Sequence, residues 1–291
     1  MGWIATTVDI ILNSLVLGGI FLIMGVGLNI IYGLNRVMNL AHGALYALGA
    51  YFGYTLVAVG ANYFLALLLA PIVVGAVGLI IERVLISPMR KRHMIYTLIL
   101  TYGLMFVIDG LIKLFWGQET RFIQLPEFMQ HTVSVGPASY PVFRLVILIG
   151  IAAVVTALML LLGRTRLGIN MRAASSIPEM VSACGINVRR VQISAFVLGC
   201  ILAGTAGMLA GPLFTVFALM GHDILISSFV VVVIGGLGSL RGAVLAALLV
   251  GFVQTLAEFF VTEMAMVMVY MLMALVLVFK PLGILGEGKF E

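Results

Sequence analysis

Leu145-Val-Ile-Leu-Ile-Gly-Ile-Ala-Ala-Val-Val-Thr-Ala-Leu-Met-Leu-Leu-Leu162 runs for eighteen residues without a charge. A helix needs roughly 20 predominantly apolar residues to cross the hydrocarbon core of a bilayer, at about 1.5 Å per residue. Read by that rule, this run is the centre of a membrane span over 142–162. Comparable spans are predicted near 8–32, 40–59, 63–86 and 95–115 before it, and near 193–216, 240–260 and 264–279 after it. The stretch 224–237 is apolar but shorter, and it runs into Gly235-Gly236-Leu237-Gly238; it either crosses or dips in and returns as a re-entrant half-helix. The expected fold is therefore all-α, a compact bundle of eight or nine transmembrane helices with broken or re-entrant segments. The whole chain, 1–291, is expected to form a single membrane domain.

Composition agrees with the span count. Hydrophobic residues make up 63% of the chain and charged residues only 9%, where a soluble domain carries about 25% charge. So little charge cannot coat a surface in water. The net charge of +5 comes from basic residues in short loops, with no Lys/Arg run interleaved with aromatics, so nucleic-acid binding is not expected. The N-terminus has no basic leader, and its first apolar run is too long for a signal peptide. Cys184 and Cys200 give neither a disulfide framework nor a metal-ligand spacing, and no metal site is expected.

Orientation follows the basic loops. The 87–93 loop holds Arg90, Lys91 and Arg92, and the 163–192 loop holds Arg164, Arg166, Arg172, Arg189 and Arg190; both are expected in the cytoplasm, with Arg36, Arg241 and Lys280. The loop near 116–141 has Arg121 against Glu119 and Glu127 and is expected outside, as the largest periplasmic loop. Asp109 and Lys113 stand four apart, which allows a pair along one helix.

No loop exceeds about 30 residues, which leaves no room for a soluble catalytic domain. The chain has no HExxH and no GxSxG. Its only Gly-Lys pair, Gly288-Lys289, is followed by Phe290, so no Walker motif is present. Any nucleotide that drives the protein has to bind elsewhere.

Three constellations remain. The 163–192 loop mixes its arginines with Leu167, Ile169, Met171, Ile177, Met180, Val181 and Ile186, and Pro178 and Gly185 break it into short helices. An apolar-plus-basic helix outside the bilayer has to cover its apolar face, against a partner's groove or the headgroup region. Within it, Arg166, Arg172, Ala173, Glu179, Gly185, Ile186, Arg189 and Arg190 are the candidate coupling residues. The second constellation pairs Asn39, His42 and Gly43 with the late run Gly235, Gly236 and Gly238, glycine-rich breaks next to apolar spans. Breaks of this kind either line a transport pathway or serve tight packing. In the pathway reading, free N–H groups at the helix starts can meet a carboxylate. In the packing reading, His42 braces a helix start. Third, Gly199, Ala203, Gly207 and Gly211 recur every four residues, a smooth stripe on which another helix can pack.

The order of short motifs resembles one family. Asn39-Leu-Ala-His-Gly43 is followed by Gly49-Ala-Tyr51, Ile81-Glu-Arg-Val84 and Pro88-Met-Arg90. Then come Arg172-Ala173, Gly185-Ile-Asn187, Gly235-Gly-Leu-Gly-Ser239 with Gly242-Ala243, and Pro281-Leu-Gly-Ile-Leu-Gly286. Together these resemble the LivH-type permease subunit of branched-chain amino-acid ABC importers. The resemblance implies a bacterial inner-membrane permease working with a second homologous permease, two cytoplasmic ATPase subunits and a periplasmic binding protein. It also implies that ATP and Mg sit on the ATPases, that this chain holds no cofactor and is not an enzyme, and that 164–190 is the segment docking on the ATPase. Where the family often has an acidic residue after the Asn-x-Ala-His-Gly motif, this chain has Ala44. Related permeases serve urea, amides and other small organic solutes. A self-sufficient secondary carrier is the rival class, although no ionisable relay is evident within the spans.

Overall fold

A computed structural model describes residues 2–90, 92–135 and 138–286; Lys91 and the Gly288-Lys289 pair lie outside the described residues. The chain enters through one long helix, α1 (Gly2–Asn35), and then leaves helical geometry over residues 36–41. α2 (His42–Ala58) follows, then α3 (Tyr63–Ile81), which runs through a π-helical turn (Glu82–Ile86) into one further turn, α4 (Ser87–Met89). α5 (Met94–Trp116) leads to a loop closed by a small antiparallel hairpin, β1 (Thr132–Val135) with β2 (Ala138–Pro141). α6 (Val142–Arg164) is followed by two short helices, α7 (Arg166–Ser176) and α8 (Pro178–Ala183). The long α9 (Val188–Phe214), then α10 (Met220–Gly235), α11 (Leu240–Phe260) and α12 (Ala265–Phe279) complete the bundle.

Several helix starts are written in the sequence. Asn62 accepts from the Phe64 N–H at 3.0 Å, Thr165 from Gly168 at 3.2 Å, Asn187 from Arg190 at 3.1 Å and Ser239 from Gly242 at 3.1 Å. Each satisfies a first-turn donor that the helix itself leaves unpaired. Pro178 opens α8, where its missing N–H is no loss, and Gly185 follows α8 at φ +78°.

Among the described residues, seven helices are long and apolar enough to cross a membrane: α1, α3 with its extension, α5, α6, α9, α11 and α12 with its short lead-in. α2 and α10, at 17 and 16 residues, are shorter. At 1.5 Å per residue each reaches about 25 Å, less than the roughly 30 Å hydrocarbon core. α1 and α9 are the most buried of the long helices and form the centre, α1 packing on α11 and α9 on α2 and α3. α6 and α12 keep most of their surface outward and apolar, as lipid-facing helices do.

The glycine stripe of α9 lies within this centre. Gly199 abuts Ile31 of α1, and Ala203 is fully buried. A Cβ on Gly207 would run into the backbone carbonyl of Tyr46, and one on Gly211 would meet Ile123. Gly204 is pressed against Gly49 of α2 and Val74 of α3 in the same way.

The two ends of the bundle are distinct. At one end Trp116 donates to Thr55 at 2.7 Å, Arg121 pairs by backbone with Val216, and Tyr140 and Arg144 both donate to Asn13. At the other end lie α7 and α8, the close of α3, the start of α9 and the 236–239 turn. The second end holds the basic loops, which the positive-inside rule expects in the cytoplasm.

Candidate functional site

The two short helices meet. A Cβ on Gly43, in the first turn of α2, would be driven into the carbonyl oxygen of Gly221, and one on Gly221 would hit the Gly43 carbonyl. The first turns of α2 and α10 therefore cross with backbone against backbone, possible only because neither carries a side chain there. α2 begins well below the outer end: from Thr55, beside Trp116, back to Gly43 is twelve residues, or about 18 Å. α10 reaches the same level from the outer side, through residues 215–219.

Each of these helices is entered through a strained residue. The non-glycine residues with positive φ among those described are Arg36, at 53°, and Thr215, at 59°. One ends α1 before the stretch leading to α2; the other ends α9 before the stretch leading to α10. Side chains in the left-handed region are strained, and such residues persist where the surrounding structure imposes them.

Polar groups gather at this crossing. Asn39 is 1% exposed, and neither its amide oxygen nor its amide nitrogen has a hydrogen-bond partner among the described residues. His42 is fully buried; its Nε2 donates to the Met24 carbonyl at 3.3 Å, while Nδ1 has no partner among the described residues. Thr101 of α5 anchors the same segment, its hydroxyl accepting from the Leu40 N–H at 3.2 Å and donating to the Met38 carbonyl at 3.1 Å. α2 has no side-chain cap; the His42 N–H turns back to the Asn39 carbonyl at 3.2 Å.

Gly235, Gly236 and Gly238 do not join this group. They form the turn at the far end of α10, fourteen or more residues and about 20 Å from Gly221. Gly236 and Gly238 take φ of 99° and 86°, and Gly235 packs on the Gly242 backbone. Asn29 of α1 holds the turn, accepting from the Gly238 N–H at 2.7 Å and donating to the Ser239 carbonyl at 2.9 Å. The segment after α12 closes over it, the Ile284 N–H reaching the Ile234 carbonyl at 2.7 Å.

Sequence spacing pairs Asp109 with Lys113; the structure corrects this. Asp109 reaches across to α10, and His222 Nε2 stands 2.7 Å from its Oδ2. An i, i+4 rule sees only one helix, and Asp109 is on the buried side of α5 while Lys113 is exposed.

At the basic end, the coupling candidates spread along α7, α8 and the start of α9. α7 seats Gly168, Met171 and Ala174 inward, and Arg172 donates to the Leu162 carbonyl at 2.6 Å. Arg166, Ala173, Glu179, Gly185 and Arg190 are exposed, and Ile186 is partly buried against the core. Ile169, Ile177 and Met180 point outward, Met180 at 64% exposure. Arg189 donates to the Ser87 hydroxyl at 3.0 Å. Behind it a polar cluster joins three helices. The fully buried Glu82 pairs with Arg90, which donates at 2.6 Å to Gln192 Oε1; Gln192 in turn donates to the Leu34 carbonyl at 3.2 Å. Burial pulls the Arg90 guanidinium below its ordinary pKa, against the opposing effect of Glu82.

A helical membrane bundle with two interrupted helices meeting inside it, and an amphipathic segment at its basic end, has the build of a transport permease. Residues 10–277 match the family model described as the branched-chain amino acid transport system / permease component, and the chain belongs to that family. It is 29% identical to the high-affinity branched-chain amino acid transport system permease protein LivH of Escherichia coli (strain K12), over 96% of this chain and 95% of that protein. It is 30% identical to the permease protein BraD of Pseudomonas aeruginosa, over 97% and 96%. Among solved structures its fold is similar to PsaBC from Streptococcus pneumoniae in complex with Fab, at a TM-score of 0.51 and 12% identity, covering 92% of this chain and 89% of that one. The chain is a multi-pass membrane permease.

Proposed function

We propose that this chain is the inner-membrane permease subunit of an ATP-driven importer for branched-chain or related apolar amino acids, and that its pathway runs past the crossing of α2 and α10. The observation that carries the reading is the pair of short helices, each starting inside the bundle behind a strained residue, Arg36 or Thr215. Irregular backbone at membrane depth is tolerated where protein or a watery cavity covers it. Discontinuous helices mark the binding region in many transporters. With α2 and α10 counted, nine helical segments occupy the membrane and the N-terminus lies outside. The donors at the two helix starts, with Asn39 and His42, meet the substrate carboxylate. Gly235, Gly236 and Gly238 act as the hinge turn below, between α10 and α11.

Energy enters at α7 and α8. Their outward Ile169, Ile177 and Met180 fit a groove on an ATPase subunit, with Arg166, Arg172, Ala173, Glu179, Gly185, Ile186, Arg189 and Arg190 around them. Two such ATPases, a periplasmic binding protein and a second homologous permease complete the assembly; ATP and Mg bind the ATPases and this chain performs no catalysis. The same architecture would serve urea, amides or other small organic solutes if the binding protein selected them.

Purification in mild detergent with mass spectrometry of bound proteins tests the class. A Walker-motif ATPase and a second permease are expected. Met180→Glu is expected to weaken ATPase retention by about tenfold or more, as for loss of an apolar anchor, while the chain still reaches the membrane. A single species that moves substrate alone in liposomes would instead make the protein a secondary carrier.

A further inference from the structure

Asp109 and Asp223 are, among the described residues, the carboxylates on membrane helices that stand away from both ends of the bundle. Asp109 lies seven residues, or about 10 Å, below Trp116 at the outer end. Its Oδ2 meets His222 at 2.7 Å, but its Oδ1 has no hydrogen-bond partner although the residue is only 3% exposed. A buried carboxylate oxygen left unpaired is costly and calls for a partner.

Asp223 adjoins His222 in the first turn of α10 and is exposed on the chain's surface. A carboxylate at this depth does not face lipid; such groups face protein or a water-filled path. Beside it, α5 turns outward Gly103 and Gly110, around which there is open space, and Phe106, whose ring lies 6.4 Å from that of His222. This α5–α10 face therefore faces protein or water rather than lipid.

We propose that Asp109 and Asp223 bind the ammonium group of the amino acid in transit, with His222 holding the Asp109 carboxylate in place. The inference rests on the pathway reading above and deepens it. A zwitterion needs an anion as well as the helix-start donors that meet its carboxylate. These two acids supply it beside the α2–α10 crossing, because His222 and Asp223 directly follow Gly221. The exposed Phe106 and Ile226 offer apolar surface alongside.

The test uses the whole transporter in proteoliposomes with ATP, its binding protein and radiolabelled leucine. Asp223→Asn is expected to lower leucine uptake about tenfold or more, the loss of a charged contact, while ATP hydrolysis stimulated by the binding protein stays within about twofold of wild type. Asp223→Glu is expected to restore uptake; a residue that merely maintained structure would not separate uptake from hydrolysis or depend on charge. Asp109→Asn is expected to match Asp223→Asn, and if it fails to assemble, Asp223→Asn alone decides. Wild-type uptake by Asp223→Asn overturns the proposal. If the unaltered complex hydrolyses ATP with its binding protein but takes up no leucine or other amino acid, the amino-acid reading falls, and the ammonium site with it.

Discussion

Gly43→Leu is expected to abolish transport and to lower the melting temperature of the purified complex. A leucine there would push into the Gly221 carbonyl and stand 2.8 Å from Leu225 Cβ at its own first carbon. Overpacking a well-filled core costs about 1–3 kcal/mol when side chains can adjust. The main obstacle at Gly43 is backbone, which cannot rotate away, so the upper end of that range or more is expected. The loss of function should exceed the loss of stability, because parting the two helix starts also displaces Asn39 and His42. Gly163→Ala is the control: it is helical, with open space around it, and should be neutral or slightly stabilising. Equal melting temperatures for the two variants would mean that α2 and α10 do not cross at Gly43.

Removing either member of the Glu82–Arg90 pair should destabilise the basic end of the bundle by about 3–5 kcal/mol, since the partner is left as a buried, unpaired charge. Glu82 is fully buried, and Arg90 is 15% exposed at its side chain. Replacing both, as Glu82→Met with Arg90→Met, should recover most of that loss, because a well-packed apolar pair avoids the desolvation of two ions. Thermal unfolding of the two single variants and the double variant forms the cycle. Strictly additive losses would show that the ions do not depend on each other. The Arg90–Gln192 bond is lost in both the Arg90 single variant and the double variant, so it cancels in the cycle, while Gln192 keeps its bonds to Leu34 and Asn35.

How far the sequence foretells this structure depends on the range of each signal. Span lengths come from apolar composition, and the starts of α7, α9 and α11 come from Thr165, Asn187 and Ser239, all local properties. The breaks near Asn39–His42 and after Gly235 are legible because glycine and polar residues interrupt apolar runs. What meets across those breaks is not legible. Gly221 has no periodic partner, and His222 and Asp223 fall just before the apolar run read from 224, so the residues that complete the crossing carry no local mark. Asp109 has a tempting neighbour four residues on, while its actual partner lies on another helix. Contacts between distant segments depend on packing that no window of the sequence contains.

The π-helical turn at Glu82–Ile86 makes α3 tolerant in an unusual way. Such a turn amounts to one extra residue absorbed into an α-helical course. Arg90 is eight residues beyond Glu82, a step that in a straight α-helix would carry it about 80° around the axis. With one residue absorbed it stands where a seventh would, about 20° from Glu82, and the ion pair closes. Losing one residue from a membrane helix normally swings everything after it onto the wrong side. Loss of the exposed Val84 would instead let the turn relax to a regular helix with Arg90 still above Glu82. A chain lacking Val84 should therefore fold and insert, whereas one lacking a single residue in the middle of α9, where Gly199, Gly207 and Gly211 must keep one bearing, should not. At this one place the gene can drop a codon and the helix keeps its bearing.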